Sequence, residues 1–107
     1  MGKTTIKNSM TWKLVGTSTG TNSTVTLPAS WQELCIFVSG LNYSFTFNVP
    51  YHFVDIANRR LLHGYANAGA GSYWACEVGV TKTSCVMTTF AFNGQSSITP
   101  ELQVYYR

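Results

Sequence analysis

The chain has 107 residues, with seven Lys+Arg against four Asp+Glu, a formal charge of +3, and 10% charged residues against 45% apolar and 14% aromatic. That length is one domain's worth, and that hydrophobicity excludes intrinsic disorder, which needs low apolar content and high charge. No uninterrupted apolar run approaches the roughly 18 residues of a membrane-spanning helix, so membrane insertion through a helix is not expected.

Residues 1–9 are polar and read as a flexible N-terminal segment ahead of a single domain at 10–107. Residues 1–7 carry no apolar segment of the secretory type. Residues 10–15 read as a first strand with Trp12 and Leu14 on one face. Residues 16–23 have the Gly, Ser, Thr and Asn content of a loop. Residues 24–27 form a short strand stopped by Pro28. Ser30 and Glu33 have capping-box spacing, which suits one helical turn through Trp31 and Gln32. Residues 34–38 are continuously apolar, as in a strand buried on both faces. Residues 43–49 alternate, with Tyr43, Phe45, Phe47 and Val49 on one side and Ser44, Thr46 and Asn48 on the other. Period two over this stretch is the strongest local signal in the chain. Residues 51–58 are irregular or a single helical turn. Residues 60–66 read as a strand and 67–72 as a loop.

Residues 73–80 alternate again, with Trp74, Cys76, Val78 and Val80 on one face. A hairpin tip at Lys82 and Thr83 leads into 85–92, where Val86, Phe90 and Phe92 share a face. Residues 93–97 form a turn. Residues 101–107 are the last strand, with Leu102, Val104 and Tyr106 inward. The pattern is all-β, about eight short strands with turns between them and no long amphipathic helix. It predicts an antiparallel β-sandwich, jelly-roll-like, or else a small barrel.

Cys35, Cys76 and Cys85 are an odd set inside apolar strand runs. They are expected to be reduced thiols acting as small hydrophobes, in a protein made in a reducing compartment. With the hairpin tip at 82–83, Cys85 faces Val80 and Cys76 faces Thr89, so those two cysteines are not cross-strand partners.

Catalysis is not expected. Acid–base chemistry needs close groups of matched pKa, yet the acids Glu33, Asp55, Glu77 and Glu101 are scattered. Only Asp55 has an imidazole near it in sequence, His52, and the pair reads as loop residues. No Gly-x-Ser-x-Gly elbow is present. No metal or other cofactor is expected, since His52 and His63 are far apart in sequence and there is no Cys-x-x-Cys. The run Gly69-Ala70-Gly71-Ser72 lacks the Lys-Ser/Thr ending of a phosphate loop and reads as a connector. Nucleic acid is not an expected partner either, because the basic residues are dispersed rather than gathered in a stripe.

Carbohydrate binding fits better. Sugars are held by aromatic faces with Asn, Asp, Gln and backbone groups around them. Tyr73 and Asn67 lie close to the Gly-rich loop, Asn93 and Gln95 share a turn, and Trp31 follows a loop. These are the candidate ligand-binding residues. Trp12 and Trp74 read as core, and Tyr73, on the opposite face from Trp74, reads as exposed. A low-charge, hydroxyl-rich surface also makes self-association cheap, which suits a part of an assembly.

The order Trp12-Lys13-Leu14-Val15-Gly16, Val25-Thr26-Leu27-Pro28, Trp31-Gln32-Glu33-Leu34, Phe45-Thr46-Phe47-Asn48-Val49-Pro50, Gly64-Tyr65, Thr81-Lys82-Thr83 and Leu102-Gln103-Val104-Tyr105-Tyr106-Arg107 resembles small structural β domains of bacteriophages and prophages of gut bacteria. Those are tail or tail-fibre C-terminal, receptor-binding modules. The resemblance spans nearly the whole chain and rests on strand-and-turn patterns. It implies a virion component assembled in the host cytoplasm, a homo-oligomer, with a trimer favoured, in contact with other virion proteins and a host-surface glycan. A capsid decoration or tail-assembly subunit with no ligand is the alternative it leaves open. It transfers no binding residue.

Overall fold

The structure is a computed structural model that describes residues 11–40, 43–69, 71–93 and 99–107. Eight strands and one short helix follow one another: β1 (Lys13–Thr19), β2 (Thr24–Thr26), β3 (Glu33–Gly40), β4 (Tyr43–Pro50), α1 (Tyr51–Ala57), β5 (Arg60–Gly69), β6 (Ser72–Val80), β7 (Ser84–Phe92) and β8 (Glu101–Tyr106). They form two four-stranded antiparallel sheets, ordered β1-β8-β3-β4 and β2-β7-β6-β5. This is the expected all-β sandwich. The pairs β1·β8 and β2·β7 are nested as in a jelly roll, while β3–β4 and β5–β6–β7 are simple hairpins and a meander.

The alternating runs produce the core. Leu34, Ile36 and Val38 of β3, Leu102 and Val104 of β8, Val78 and Val80 of β6, and Cys85, Met87 and Phe90 of β7 point between the sheets and are buried. Side chains one residue apart on a strand face opposite ways, so each strand fills the core with every second residue. Aromatic rings close one end, where Tyr43 stacks on Trp74 at 5.0 Å and Trp74 meets Phe90 and Phe92. Trp31 closes the other. It is 0% exposed, packs edge-on against Tyr51, and donates its Nε1–H to the carbonyl of Lys82 at 2.8 Å. A Lys82–Asp55 ion pair at 3.0 Å joins the same hairpin tip to α1.

Several expectations change. Residues 16–19 extend β1 instead of looping, because they pair with 101–104 of β8. Pro28 to Trp31 is a turn and not a helical turn, with the Trp31 N–H on the Pro28 carbonyl. Residues 51–57 do wind into one short helix, ended by Asn58 in the left-handed region at φ 64°. The loop expected at 67–72 is mostly strand, with β5 running to Gly69 and a tight turn at Gly71, φ 79°.

Strand β3 is buried on one face only. Phe37 is 38% exposed and Cys35 is half-buried, so their side of the sheet is an outer surface. A bulge corrects the β7 pattern. Val80 pairs with Cys85 as expected, but the register slips at Thr88, so Cys76 faces Phe90 rather than Thr89. One extra residue reverses which side chains point inward. Cys85 and Met87 are inward before the slip and Phe90 is inward after it, while Val86 lies outside the core. The cysteines are free thiols. Burial pushes Cys76 up to about 11 and Cys85 up to about 12, as expected of hydrophobes rather than nucleophiles.

Candidate functional site

The outer face of the β5–β6–β7 sheet gathers part of the candidate set. β5 and β6 pair Asn67 with Tyr73. The Asn93 side chain accepts the Tyr73 N–H at 2.8 Å, and the Asn93 N–H donates to the Tyr73 carbonyl at 2.9 Å. Asn93 holds φ 53°, a left-handed conformation that asparagine tolerates, and this brings the end of β7 against β6. Asn67 accepts the Gly69 N–H through Oδ1 at 3.2 Å, which shapes the β5–β6 turn and leaves its NH2 as a donor on an exposed residue.

The tyrosine next to them was not among the candidates. Tyr65 stacks on Tyr73 with centroids 5.5 Å apart and planes 15° apart, and it is 70% exposed. The signal was present in sequence. Tyr65 lies one residue from Gly64, which faces inward, and period two places Tyr65 outward. Tyr73, expected to be exposed, is half-buried under this stack, so the pair offers the exposed Tyr65 ring as an aromatic platform with Asn67 and Asn93 beside it. Below Tyr65 on the same face, His63 meets Glu77 at 2.7 Å, and Thr88 donates its hydroxyl to the other Glu77 oxygen at 2.6 Å.

The remaining candidates lie elsewhere. Trp31 offers no ring face to a ligand, because it is sealed in the core with its indole N–H used. Gln95 lies outside the described residues, as do 1–9 and most of the 93–97 turn. Trp74 is core at 3% exposed, as expected. Trp12 is not core. It is half-exposed on the outer face of the other sheet, under the Arg107 guanidinium at 4.2 Å, and with Cys35, Phe37 and Tyr105 it lines a cleft of about 340 Å³. Arg107 also pairs with Glu33 at 2.9 Å at the rim of this cleft. Leu14, 55% exposed, adds to the same apolar face. The half-buried Cys35 thiol is pushed up by burial and by the Glu33 carboxylate, against an opposing pull from Arg107.

Asp55 bonds Lys82 rather than His52. Among the described residues no group of three His, Cys, Asp or Glu converges as a metal site. The clustered groups on the β5–β6–β7 face can donate and accept hydrogen bonds beside an apolar ring surface, which is binding chemistry.

The Glu77 carboxyl is held below its ordinary range by the Thr88 hydroxyl first and the His63 ring second. A carboxylate lowered in the folded state stabilises the fold above its unfolded value, and that contribution disappears as pH falls through the folded value. Urea midpoints are therefore expected to drop between about pH 5 and about pH 3, around the ordinary glutamate value. Glu77→Gln is expected to flatten that part of the profile, and an unchanged profile would show that the pair contributes nothing.

No protein-family model, curated protein or solved structure matches this chain.

Proposed function

We propose that the chain is a virion β-sandwich of a bacteriophage, a tail- or fibre-associated module that holds a host-surface glycan on the Tyr65–Tyr73 platform. The observation that carries the binding part is the exposed Tyr65 ring stacked on the half-buried Tyr73 ring and flanked by Asn67 and Asn93. Pyranose rings present a patch of C–H groups on one face and hydroxyls around the rim. A flat aromatic surface matches the first, and amide side chains fixed by bonds to the backbone match the second. The virion part is supported by the strand-and-turn resemblance together with a surface poor in charge.

The measurement is binding of the full chain to an array of bacterial surface polysaccharides. Tyr65→Ala is expected to lower retention by at least about tenfold, the usual effect of removing a central aromatic anchor. It should leave the fold intact, since Tyr65 is mostly outside the core. Retention unaffected by Tyr65→Ala would move any ligand away from this platform.

The apolar outer face with Trp12, Leu14, Phe37 and Tyr105 favours a second reading, a capsid-decoration or tail-assembly subunit that packs on other virion proteins. No retention on any host glycan, together with tight co-sedimentation with capsids or tails, decides for that reading.

A further inference from the structure

The two margins of the sandwich are guarded very differently. An edge strand exposes unpaired N–H and C=O groups, and proteins that stay single blunt such edges with lysine, proline, bulges or very short strands. On one margin β1 has Lys13 and a bulge between Leu14 and Gly16, and β2 has only three residues. On the other margin, β5 runs for ten residues, in regular register with β6 from Arg60 to Asn67 and bulged only at its far end between Asn67 and Gly69, and no strand lies beside its outer edge among the described residues.

Two polar side chains of β5 are bonded to neighbouring elements. Arg60 donates through Nε to the Phe53 carbonyl at 2.9 Å and lies on the Phe53 ring, so its charge is turned onto α1. His63 is bonded to Glu77 on β6, the inner neighbour. Asn67 and the bonded His63 stay exposed on the outer face, and the other side chains along the edge are apolar on both faces. Leu61 and Tyr65 are exposed on the outer face, and Leu62 and Ala66 are only half-buried on the inner one. A strand apolar on both faces belongs inside a sheet. The edge strand β4, in contrast, presents Ser44, Thr46 and Asn48 outward and needs no cover on that face.

We infer that β5 is a dimer edge, pairing antiparallel with β5 of a second copy about a two-fold axis centred on Gly64. The charge pattern favours antiparallel over parallel pairing. Antiparallel pairing about Gly64 places Arg60 opposite position 68 of the second copy. The two arginines then sit about 26 Å apart along the strand at about 3.3 Å per residue, well past the roughly 8 Å screening length. Parallel pairing would set them side by side. The same register puts Leu61 beside Asn67, Leu62 beside Ala66 and His63 beside Tyr65 of the other copy, with no like charges opposed. An isologous contact of this kind closes on itself and leaves no free β5 edge. Both Tyr65–Tyr73 platforms then lie on one face of a continuous eight-stranded sheet. On the glycan reading, on which this last point alone rests, the dimer presents two stacked tyrosine pairs on one face, suited to an extended polysaccharide rather than a single sugar.

Sedimentation equilibrium of the full chain is expected to return the mass of two copies. The variant L61K N67K opposes two lysine pairs across the proposed contact at exposed positions. It is expected to return one copy with an unchanged circular dichroism spectrum. As a check independent of that variant, L61C and N67C chains mixed and oxidised with diamide should cross-link, and neither should cross-link alone. A monomer at millimolar concentration, a trimer, a dimer that survives L61K N67K, or no cross-link in the mixture overturns the inference. A β5 dimer that binds no glycan removes the glycan reading and leaves this one standing. A glycan-binding monomer does the reverse.

Discussion

Trp31→Ala is expected to lose about 3–5 kcal/mol of folding stability, the range for truncating a fully buried large aromatic. That is a large share of the roughly 5–15 kcal/mol that holds a domain of this size together. Two contributions add at this position. The indole fills the end of the sandwich against Tyr51, so its removal leaves a void beneath α1. Its N–H also satisfies the Lys82 carbonyl at the β6–β7 tip, and losing the donor leaves that acceptor short of a partner. Trp31→Phe separates the two, since it keeps most of the ring and removes the donor. It is expected to cost about 1–3 kcal/mol, the penalty for an acceptor left unsatisfied. Urea denaturation with a constant slope reads both values. A loss below about 1 kcal/mol for the alanine variant would mean that the crossover between β2 and β3 does not close the core, against the order of magnitude for such sites.

The same residue shows what the sequence could and could not convey. Capping-box spacing between Ser30 and Glu33 suggested a local turn of helix, and a tryptophan after a loop suggested a ligand surface. Neither reading contained the partner that fixes Trp31. That partner, Lys82, is 51 residues away and becomes a neighbour only once the β6–β7 hairpin tip folds under the crossover. Where the information was local, it was legible. The alternation at 43–49 and 73–80 became β4 and β6 with the inward residues it named, because a half-buried strand writes its own period into the chain.

Bulges and sheet faces are the less legible part. Nothing in Cys85 to Phe92 marks Thr88 as the surplus residue, since its hydroxyl meets the Glu77 carboxylate only across the assembled sheet. The continuous apolar run of β3 hid an outer face in the same way. Phe37 is paired edge-on with Tyr105 of β8, a contact that depends on strand order and not on composition. Of the candidate ligand residues, Tyr73, Asn67 and Asn93 come together because the β5–β6 hairpin and the end of β7 share one corner of a sheet. Tyr65 was missed because its value comes from the ring beneath it.

Gly64→Ala is the second substitution with a large expected effect, and its sign is the informative part. In an ordinary strand interior, alanine is more favourable than glycine by about 0.5–1 kcal/mol, because glycine loses more backbone freedom on folding. At Gly64 a Cβ would sit 2.6 Å from Phe45 Cδ1 and 2.9 Å from both Phe45 Cγ and Cys76 Sγ. The contact with Phe45 involves the root of its ring, so a rotation of the tip does not relieve it. Phe45 is itself set against Phe90, and Cys76 is buried on the paired strand. Glycine is therefore the residue that lets β4 approach β5 across the margin. The substitution is expected to destabilise by about 1–3 kcal/mol, the usual cost of overpacking. Phe45→Leu in the same chain should recover part of it, giving a coupling of about 0.5–3 kcal/mol in a double-mutant cycle. Additive effects would place the strain on the Cys76 side, and a stabilised Gly64→Ala chain would mean that the sheets stand further apart at this margin than the Phe45 contact requires.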